Sequence, residues 1–435
     1  MVTVRGVEPR LQDWKSRVLT DRRYGHKCDD WVVEDSNLQP SPRQGDALAI
    51  ELTTHEIGIV SVEWFCSIDT YFIWPLPMHI AFAWWSTGWH VFPIRSLIQY
   101  TQVDDKINTK YTQLFWFGEA WSLEEQVCHW LQSDIKNLTF VPIIAGKLRR
   151  SPNRKEWWNN IIDIFKLVGG ILQSGYKLIT HQIDVVVCKG GYVSLPVTIA
   201  ARLLRKKIYV HESDTVAGIS TRRCSRLATQ VFCGFEGVLG GVYVGQILSD
   251  DLCIASPLPT DKNRTQLLIT GGSQWSQSLY TTIAELWKQH PERSDFFHVT
   301  IILGTANQNL KELFVWLTCF EVIDFADQTT MGQLYLRSDV SITRGGTTSL
   351  IEQQLFGIHM LMVPIPRTHD QLSNCQYFQH HYGQHLCIQD DSLADTLGQY
   401  LTQYLHHRKD IPDMSHIAKT ITATKTFIRS TLLWK

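Results

Sequence analysis

A short apolar run meets the start of a helical pattern in Asp339-Val340-Ser341-Ile342-Thr343-Arg344-Gly345-Gly346-Thr347-Thr348-Ser349. The run is typical of a buried strand, and the helical pattern continues through Phe356. Two glycines between them let the backbone approach a ligand closely, and the helix start presents unpaired N–H groups at its positive dipole end. The junction therefore predicts an anion site on an α/β fold. A tight turn before an N-capped helix is the alternative.

Three more loops repeat this order of strand, small polar loop and helix. They are Gly271-Gly272-Ser273-Gln274-Trp275-Ser276, Lys189-Gly190-Gly191-Tyr192-Val193-Ser194 and Trp84-Trp85-Ser86-Thr87-Gly88-Trp89-His90-Val91-Phe92-Pro93. Ligands of open α/β sheets bind at the carboxyl ends of strands, where such loops lie. Four similar loops favour one shared binding cleft.

Short apolar runs alternate with helical patterns in two series. The first predicts strands at 79–83, 114–117, 139–144, 184–188, 207–211 and 230–233, and the second at 266–270, 297–303, 321–325, 339–343 and 359–363. This alternation is typical of βαβ units, so we predict an α/β fold with two doubly wound, Rossmann-like domains facing across a cleft. The predicted boundaries are 1–77 unassigned, 78–240 for the first domain, 241–264 for the linker, 265–420 for the second domain and 421–435 for a C-terminal tail or helix.

Composition narrows the functional classes. The 435 residues are 44% hydrophobic and 19% charged, with a net charge of −1, as in ordinary globular proteins that have no general attraction for nucleic acid. The ten cysteines form no CxxC pair and no Cys/His cluster with zinc spacing. We therefore expect reduced thiols, no nucleic-acid partner, no cofactor and no structural metal, and leave open a loosely bound Mg²⁺.

Two segments bear on membrane contact. Residues 70–94 carry no Asp, Glu, Lys or Arg, but their prolines and histidines favour a strand running into a loop over a membrane span. Nothing at the start of the chain is typical of a signal peptide. Residues 147–177 combine basic side chains with an apolar helical pattern, which predicts a surface that lies on an anionic membrane. A helix packed on its own sheet with lysines in solvent is the alternative.

Several motifs resemble the MurG glycosyltransferases. They are Gly190-Gly191-Tyr192-Val193-Ser194, His211-Glu212 with Gly218, Gly271-Gly272-Ser273-Gln274, Arg344-Gly345-Gly346 through Glu352 with Gln371 and Asn374, Ser86-Thr87-Gly88-Trp89-His90-Val91-Phe92-Pro93, and Ala145-Gly146-Lys147-Leu148-Arg149-Arg150. The resemblance runs in family order from Met78 to near the C-terminus. It implies the GT-B fold and a peripheral enzyme at the cytoplasmic face of the bacterial membrane. That enzyme transfers N-acetylglucosamine, with inversion, from its UDP-sugar to undecaprenyl-diphosphate-linked muramoyl-pentapeptide in peptidoglycan synthesis.

The resemblance also implies roles for individual residues. His90 is the candidate general base, because an imidazole titrates near neutral pH. Glu352 would hold the uridine ribose and Ala326 would line the uracil pocket. Gln371 and Asp214 would touch the sugar hydroxyls. The full set expected at the donor is Thr87, Gly88, Trp89, Tyr192, Asp214, Ser249, Ser273, Gln274, Ala326, Gly346, Thr347, Thr348, Ser349, Leu350, Ile351, Glu352, Gln371 and Asn374.

The chain departs from the family pattern at two kinds of position. Ser249 stands where the family has a basic residue, and Asp214 stands where asparagine is usual. Tryptophan stands at family glycine positions in Trp84, Trp85, Trp89, Trp121 and Trp275. Replacing the smallest residue by the largest five times, with neighbouring motifs kept, suggests that these are UGA codons which the organism reads as glycine. UGG codons there would end this hypothesis.

Alternative functions follow from these departures. If the five tryptophans are genuine, the chain is a non-catalytic nucleotide-sugar-binding protein, because bulky rings would block the loops under the diphosphate. A GT-B transferase with another lipid acceptor is the third hypothesis. Because Met78-His79-Ile80-Ala81-Phe82-Ala83 resembles a family start, we expect residues 1–77 to be an upstream reading frame and not protein, with a divergent extension as the alternative.

Overall fold

The structure, a computed structural model, describes residues 78–83, 95–100, 113–147, 154–254, 256, 258–272, 276–366, 368–390 and 392–433. All of them belong to one compact unit, Pro75–Lys435. Residues 1–77, for which we expect an upstream reading frame, lie outside the described residues.

The first domain is built on a parallel sheet in the spatial order β3-β2-β1-β4-β5-β6-β7. Its strands are β1 (His79–Ala83), β2 (Gln113–Gly118), β3 (Leu138–Pro142), β4 (Val185–Cys188), β5 (Lys207–Glu212), β6 (Gln230–Cys233) and β7 (Val242–Tyr243). Its helices include α1 (Leu123–Leu131), α2 (Arg154–Thr180), α3 (Ser194–Leu203) and α4 (Ile219–Ser225), and residues 95–100 are also helical.

The second domain is built on a parallel sheet in the order β10-β9-β8-β11-β12-β13. Its strands are β8 (Thr265–Thr270), β9 (Phe297–Ile302), β10 (Phe320–Ile323), β11 (Val340–Thr343), β12 (His359–Met362) and β13 (His385–Leu386). Its helices include α5 (Gln277–Gln289), α6 (Gln328–Arg337), α7 (Thr347–Leu355), α8 (His369–Tyr382) and α9 (Leu393–Gln403), and α10 (Met414–Leu433) follows. The short 3-10 helix Asp250–Cys253 lies between the two sheets in sequence.

Successive side chains of a strand pack into separate cores on the two faces of its sheet. In β1, Ile80 and Phe82 belong to one buried cluster while Ala81 and Ala83 belong to another. This arrangement follows from the two-residue period of a strand, and it explains why strands covered on both faces read as continuous apolar runs. The predicted fold, two doubly wound Rossmann-like domains in the GT-B arrangement, is confirmed.

The predicted strands are present, and their ends differ from the predicted ones by at most two residues. Asp184 and Asp339 precede their strands, and their carboxylates accept backbone N–H groups of His79 (3.0 Å) and Gln266 (2.9 Å). Two strands, β7 and β13, were not predicted, because two-residue edge strands carry no periodicity. β7 lies within residues 241–264, which we assigned to the linker, and it pairs with β6.

α10 packs into both domains. Ile417 and Ile421 lie in a core of the second domain, whereas Ile428 lies in a core of the first. The Thr424 hydroxyl donates to the Val244 carbonyl at 2.8 Å, and Lys425 bonds to Asp250. The boundary we predicted at residue 421 therefore falls inside a continuous helix.

Neither disulfides nor membrane spans occur in the described part of the chain. The eight cysteines described there are free thiols. None of the helices described is both long enough and apolar enough to cross a membrane. Residues 79–83 of the uncharged segment form strand β1, as predicted, and Met78 directly before them is buried. Residues 70–77 and 84–94 lie outside the described residues.

Candidate functional site

Strand order reverses between β1 and β4 in the first sheet and between β8 and β11 in the second. Ligands of doubly wound sheets bind outside the carboxyl ends at such switch points. The loops that follow these four strands are the four loops identified from the sequence. The loop after β1 contains Thr87, Gly88, Trp89 and His90, which lie outside the described residues together with Ser273 and Gln274 of the loop after β8.

The two glycines of the β11–α7 turn, Gly345 and Gly346, differ in their surroundings. A Cβ on Gly345 would lie 2.6 Å from both Cys375 Sγ and the Gln371 carbonyl oxygen, so glycine is needed there for packing against α8. A Cβ on Gly346 would have no atom of the described residues within 4 Å. Gly345 therefore has a packing reason that the sequence did not reveal, and Gly346 provides the open approach to α7.

Arg344 is buried and fastens this turn to its neighbours. Its guanidinium donates to the Val363 carbonyl (3.1 Å), Gln389 Oε1 (2.7 Å) and Ser276 Oγ (3.4 Å). Burial lowers the pKa of Arg344 to about 10. Arg344 thus joins the carboxyl ends of β11 and β12 to the loop after β8.

The first turn of α7 presents some predicted site residues and buries others. Thr347 begins the helix, and Thr348 is half-buried. The Ser349 hydroxyl accepts from Gln353 Nε2 at 2.9 Å, inside the helix. Leu350 and Ile351 belong to a buried core, so their side chains do not reach the cleft. Any donor contact of these last three residues would have to come from their backbone.

Glu352 is a buried carboxyl group on the same helix, with 1% of its surface exposed. It accepts from the Tyr335 hydroxyl at 3.0 Å. Burial raises the pKa of Glu352 to about 8, so it holds a proton at neutral pH. Ala326, which the resemblance places in the uracil pocket, precedes α6 and packs against the core that contains Tyr335.

Hydrogen bonds join the two domains at the carboxyl ends of their sheets. Asp214, after β5, accepts at Oδ1 from Thr347 Oγ1 (3.0 Å) and from Asn374 Nδ2 (3.1 Å). In the other direction, Thr215 donates from its backbone N (3.0 Å) and its hydroxyl (2.8 Å) to Asn374 Oδ1. The structure therefore brings Asp214, Thr347 and Asn374 together.

Gln371 supports the same corner from α8. Its Oε1 accepts the backbone N–H groups of Gly345 (3.3 Å) and Ile365 (3.0 Å). This fixes the amide, and its Nε2 end is then the part that could meet a sugar hydroxyl.

In the first domain, the loop after β4 is held by close packing. Gly190 and Gly191 have φ of 88° and 81°, which favour glycine, and a Cβ on Gly190 would lie 2.1 Å from Thr221 Oγ1. Tyr192, predicted at the donor, donates from its hydroxyl to Glu119 in the loop after β2. That bond links two loops at the carboxyl edge of the first sheet.

The sequence reading missed a charged cluster beneath these loops. Lys189 is buried, and burial lowers its pKa to about 8 against the opposing influence of the Asp214 and Glu212 carboxylates. Burial and the neighbouring Asp214 raise the pKa of Glu212. Burial and Lys189 lower the pKa of His211 to about 3, so this histidine is neutral. A lysine directly before a double-glycine loop was the signal available in the sequence.

Ser249 has a structural role in its present position. Its hydroxyl accepts the Asp251 N–H at 3.3 Å and caps the 3-10 helix Asp250–Cys253. Nearby, Arg95 forms an ion pair with Asp251 at 3.3 Å. Within the described residues, no group of three or more His, Cys, Asp or Glu side chains could hold a metal ion.

Of the five tryptophans that stand at family glycine positions, Trp121 is the one that lies within the described residues. Its φ is 61°, in the left-handed region that favours glycine, and its side chain is 95% exposed. Its N–H donates to Glu125 Oε2 at 2.5 Å, beside the Ser122 cap of α1. The backbone here suits a glycine. Trp84, Trp85, Trp89 and Trp275 lie outside the described residues.

Comparison with protein families gives two matches that follow each other along the chain. The glycosyltransferase family 28 N-terminal domain matches residues 80–233, and the glycosyltransferase family 28 C-terminal domain matches residues 266–428. Each match covers one of the two domains.

Curated relatives match most of the chain. A Staphylococcus saprophyticus protein named UDP-N-acetylglucosamine–N-acetylmuramyl-(pentapeptide) pyrophosphoryl-undecaprenol N-acetylglucosamine transferase is 26% identical over 82% of this chain and 97% of its own length. Relatives with the same name from Staphylococcus epidermidis and Streptococcus thermophilus are 28% and 29% identical, over 76% and 67% of this chain and 92% and 82% of their own lengths.

Solved structures share the fold. Acinetobacter baumannii MurG matches with a TM-score of 0.58 at 19% identity, covering 82% of this chain and 99% of that one. The UDP-GlcNAc 2-epimerase of Neisseria meningitidis, bound to UDP-GlcNAc, matches with a TM-score of 0.56 at 13% identity, covering 82% of this chain and 100% of that one. With both of its domains matched in order and its MurG relatives matched over most of their length, the chain belongs to glycosyltransferase family 28.

Proposed function

We propose that this protein transfers N-acetylglucosamine from UDP-N-acetylglucosamine to undecaprenyl-diphosphate-linked muramoyl-pentapeptide, with inversion at the transferred sugar. The relatives that match most of the chain carry the name of this transferase. The observation that carries the proposal is the junction of Asp214 and Thr215 with Thr347 and Asn374, because it sets the carboxyl ends of both sheets against each other. A donor on one domain and an acceptor on the other would meet there.

The donor half rests on α7 and its preceding turn. Gly346 leaves the helix N-terminus open, and Thr347 and Thr348 add hydroxyl donors there. Unpaired N–H groups and the positive dipole end suit a diphosphate. Glu352 would meet the ribose only after donor binding uncovers its carboxyl, which is 1% exposed and accepts from Tyr335 in this structure. Ala326 would line the uracil site, and Gln371 would meet the sugar. In this proposal the diphosphate needs no resident metal ion, because N–H groups and hydroxyls offset its charge.

The chemical step needs one proton acceptor near the acceptor hydroxyl. We assign this role to His90, which follows β1 in the sequence. The imidazole would take the proton of the hydroxyl while that oxygen forms a bond to the anomeric carbon and UDP leaves with the electrons of the broken bond. Developing charge on the leaving diphosphate would be stabilised by the α7 N-terminus.

The membrane side of the proposal rests on α2. Along this helix a stripe of apolar side chains faces outward, with Phe165 72% and Leu172 71% exposed. The stripe comprises Trp158, Ile162, Phe165, Val168, Leu172, Tyr176 and Ile179. Lys166 is exposed beside it, whereas Leu167 and Ile171 pack against the core. An exposed apolar stripe with basic neighbours fits a peripheral seat on the anionic cytoplasmic face of a bacterial membrane, where a lipid acceptor resides.

The transfer itself is tested by UDP release. We expect release from UDP-N-acetylglucosamine to require the lipid-linked muramoyl-pentapeptide, and His90→Ala to lower turnover about 10²-fold or more. The assay should use both the chain as written and a variant with glycine at positions 84, 85, 89, 121 and 275. Release with a glycolipid but not with the muramoyl lipid would overturn the proposed acceptor. Donor binding without transfer in both chains would indicate a non-catalytic protein.

The membrane seat is tested by vesicle sedimentation. Phe165→Ser combined with Leu172→Ser should reduce binding to vesicles of phosphatidylglycerol and phosphatidylcholine, because it removes apolar area from the stripe. Val315→Ser is the matched control, since Val315 is 70% exposed but lies in the second domain. Equal binding by the double variant and the control would contradict the proposed seat.

A further inference from the structure

Asp214 places a carboxylate of the first domain on a helix start of the second. Its Oδ1 accepts from Thr347 Oγ1 at 3.0 Å, and Thr347 is the first residue of α7. The same oxygen accepts from Asn374 Nδ2 at 3.1 Å. An anion is stabilised at a helix N-terminus, and hydrogen bonds to a charged acceptor are stronger than neutral ones. The binding site proposed for the donor, at the start of α7, therefore already contains a carboxylate of the protein, that of Asp214.

Neighbouring contacts hold this carboxylate in place. The Asp214 N–H donates to Glu212 Oε1 at 2.9 Å. The Asp214 and Glu212 carboxylates both interact electrostatically with the buried Lys189 ammonium. Thr215 closes the junction through its two hydrogen bonds to Asn374 Oδ1. Because Asn374 Nδ2 also donates to the Gly345 carbonyl at 3.2 Å, the amide is engaged at both ends.

We propose that Asp214 competes with the nucleotide-sugar donor for the hydrogen-bond donors of Thr347 and Asn374, so that donor binding must first release a latch between the two domains. The inference rests on the proposed function, because it takes α7 as the donor seat. It assigns Asp214 a role in setting donor affinity that differs from touching the sugar. A donor phosphate or sugar oxygen that reaches Thr347 displaces the Asp214 carboxylate from the start of α7.

Asp214→Asn tests this, because it removes the charge and keeps the shape. The latch predicts that both UDP and UDP-N-acetylglucosamine bind more tightly to the variant, by roughly 3- to 30-fold in Kd, since a neutral acceptor makes weaker hydrogen bonds. Isothermal titration calorimetry measures both ligands. If Asp214 instead binds the sugar directly, UDP affinity stays the same and UDP-N-acetylglucosamine affinity falls, which overturns the proposal.

A second variant guards against a folding artefact. Thr215→Val removes one latch hydrogen bond without touching a charge, and it should tighten UDP binding in the same direction but by less. Small-angle scattering of the ligand-free protein should show a larger radius of gyration for Asp214→Asn than for wild type. Asp395→Asn, an exposed carboxylate on α9, should leave affinity and radius unchanged. Failure of wild type to bind UDP would contradict the proposed function. Normal wild-type binding, with unchanged affinity in Thr215→Val and an unchanged radius of gyration in Asp214→Asn, would overturn the latch alone, because removing a charge beside the diphosphate then explains any tighter binding by Asp214→Asn.

Discussion

Trp121 combines the bulkiest side chain with a backbone angle that suits the residue without one. A left-handed φ costs an L-residue about 1–2 kcal/mol, and the ring, 95% exposed, gains little packing in return. The sequence had already marked this position as one of five tryptophans at family glycine sites. The conformation of Trp121 supports glycine as the natural occupant, by an argument independent of the resemblance.

Replacing Trp121 by glycine should therefore stabilise the protein. We expect Trp121→Gly to raise the free energy of unfolding by about 1 kcal/mol over Trp121→Ala, which keeps a Cβ at the same φ. Urea unfolding of the two variants measures the difference. Equal stabilities would show that the turn does not demand glycine. Separately, a UGG codon at position 121 in the coding DNA would contradict the recoding hypothesis.

At the level of the element, α7 joins a ligand-facing start to a buried interior. Thr347 and Thr348 open the helix, and Glu352 follows one turn later in a fully buried position. The sequence pattern correctly placed the strand, the turn and the helix, because all three follow from apolar periodicity and two glycines. It could not separate the two glycines, since only the neighbouring α8 shows that Gly345 is a packing position.

The proton of Glu352 makes stability depend on pH. Its pKa rises from an ordinary 4.5 to about 8 in the folded protein, so the folded state binds this proton more tightly than the unfolded chain does. The contribution of this group to stability is complete below about pH 4.5. It is then lost as pH rises towards 8, by at most about 1.4 kcal/mol per pH unit.

Glu352→Gln, which cannot ionise, should lack this loss. The difference in unfolding free energy between Glu352→Gln and wild type should therefore grow in favour of the variant from pH 6 to pH 8 in urea titrations. Glu285→Gln, on the exposed side of α5, should follow wild type at both pH values. A constant difference between Glu352→Gln and wild type would mean that Glu352 is ionised throughout this range.

Across the whole molecule, the sequence predicted two similar domains and the carboxyl edges that face each other. It did so because each domain repeats the same local order of strand, loop and helix. It did not reveal how the domains join. Thr215 lies next to a predicted site residue yet carries no motif, and its partner Asn374 is 159 positions away in the chain. Such contacts depend on the packing of two finished domains, which periodicity does not encode.

α10 has a consequence for how the protein is made. The first domain emerges from the ribosome well before residues 414–433 are synthesised. Ile428 of that helix nevertheless fills a core of the first domain. The first domain must wait, with part of its apolar interior uncovered, until the second has emerged. Nascent chains stalled before α10 should therefore depend on chaperones, and completion of the helix is the event that releases them.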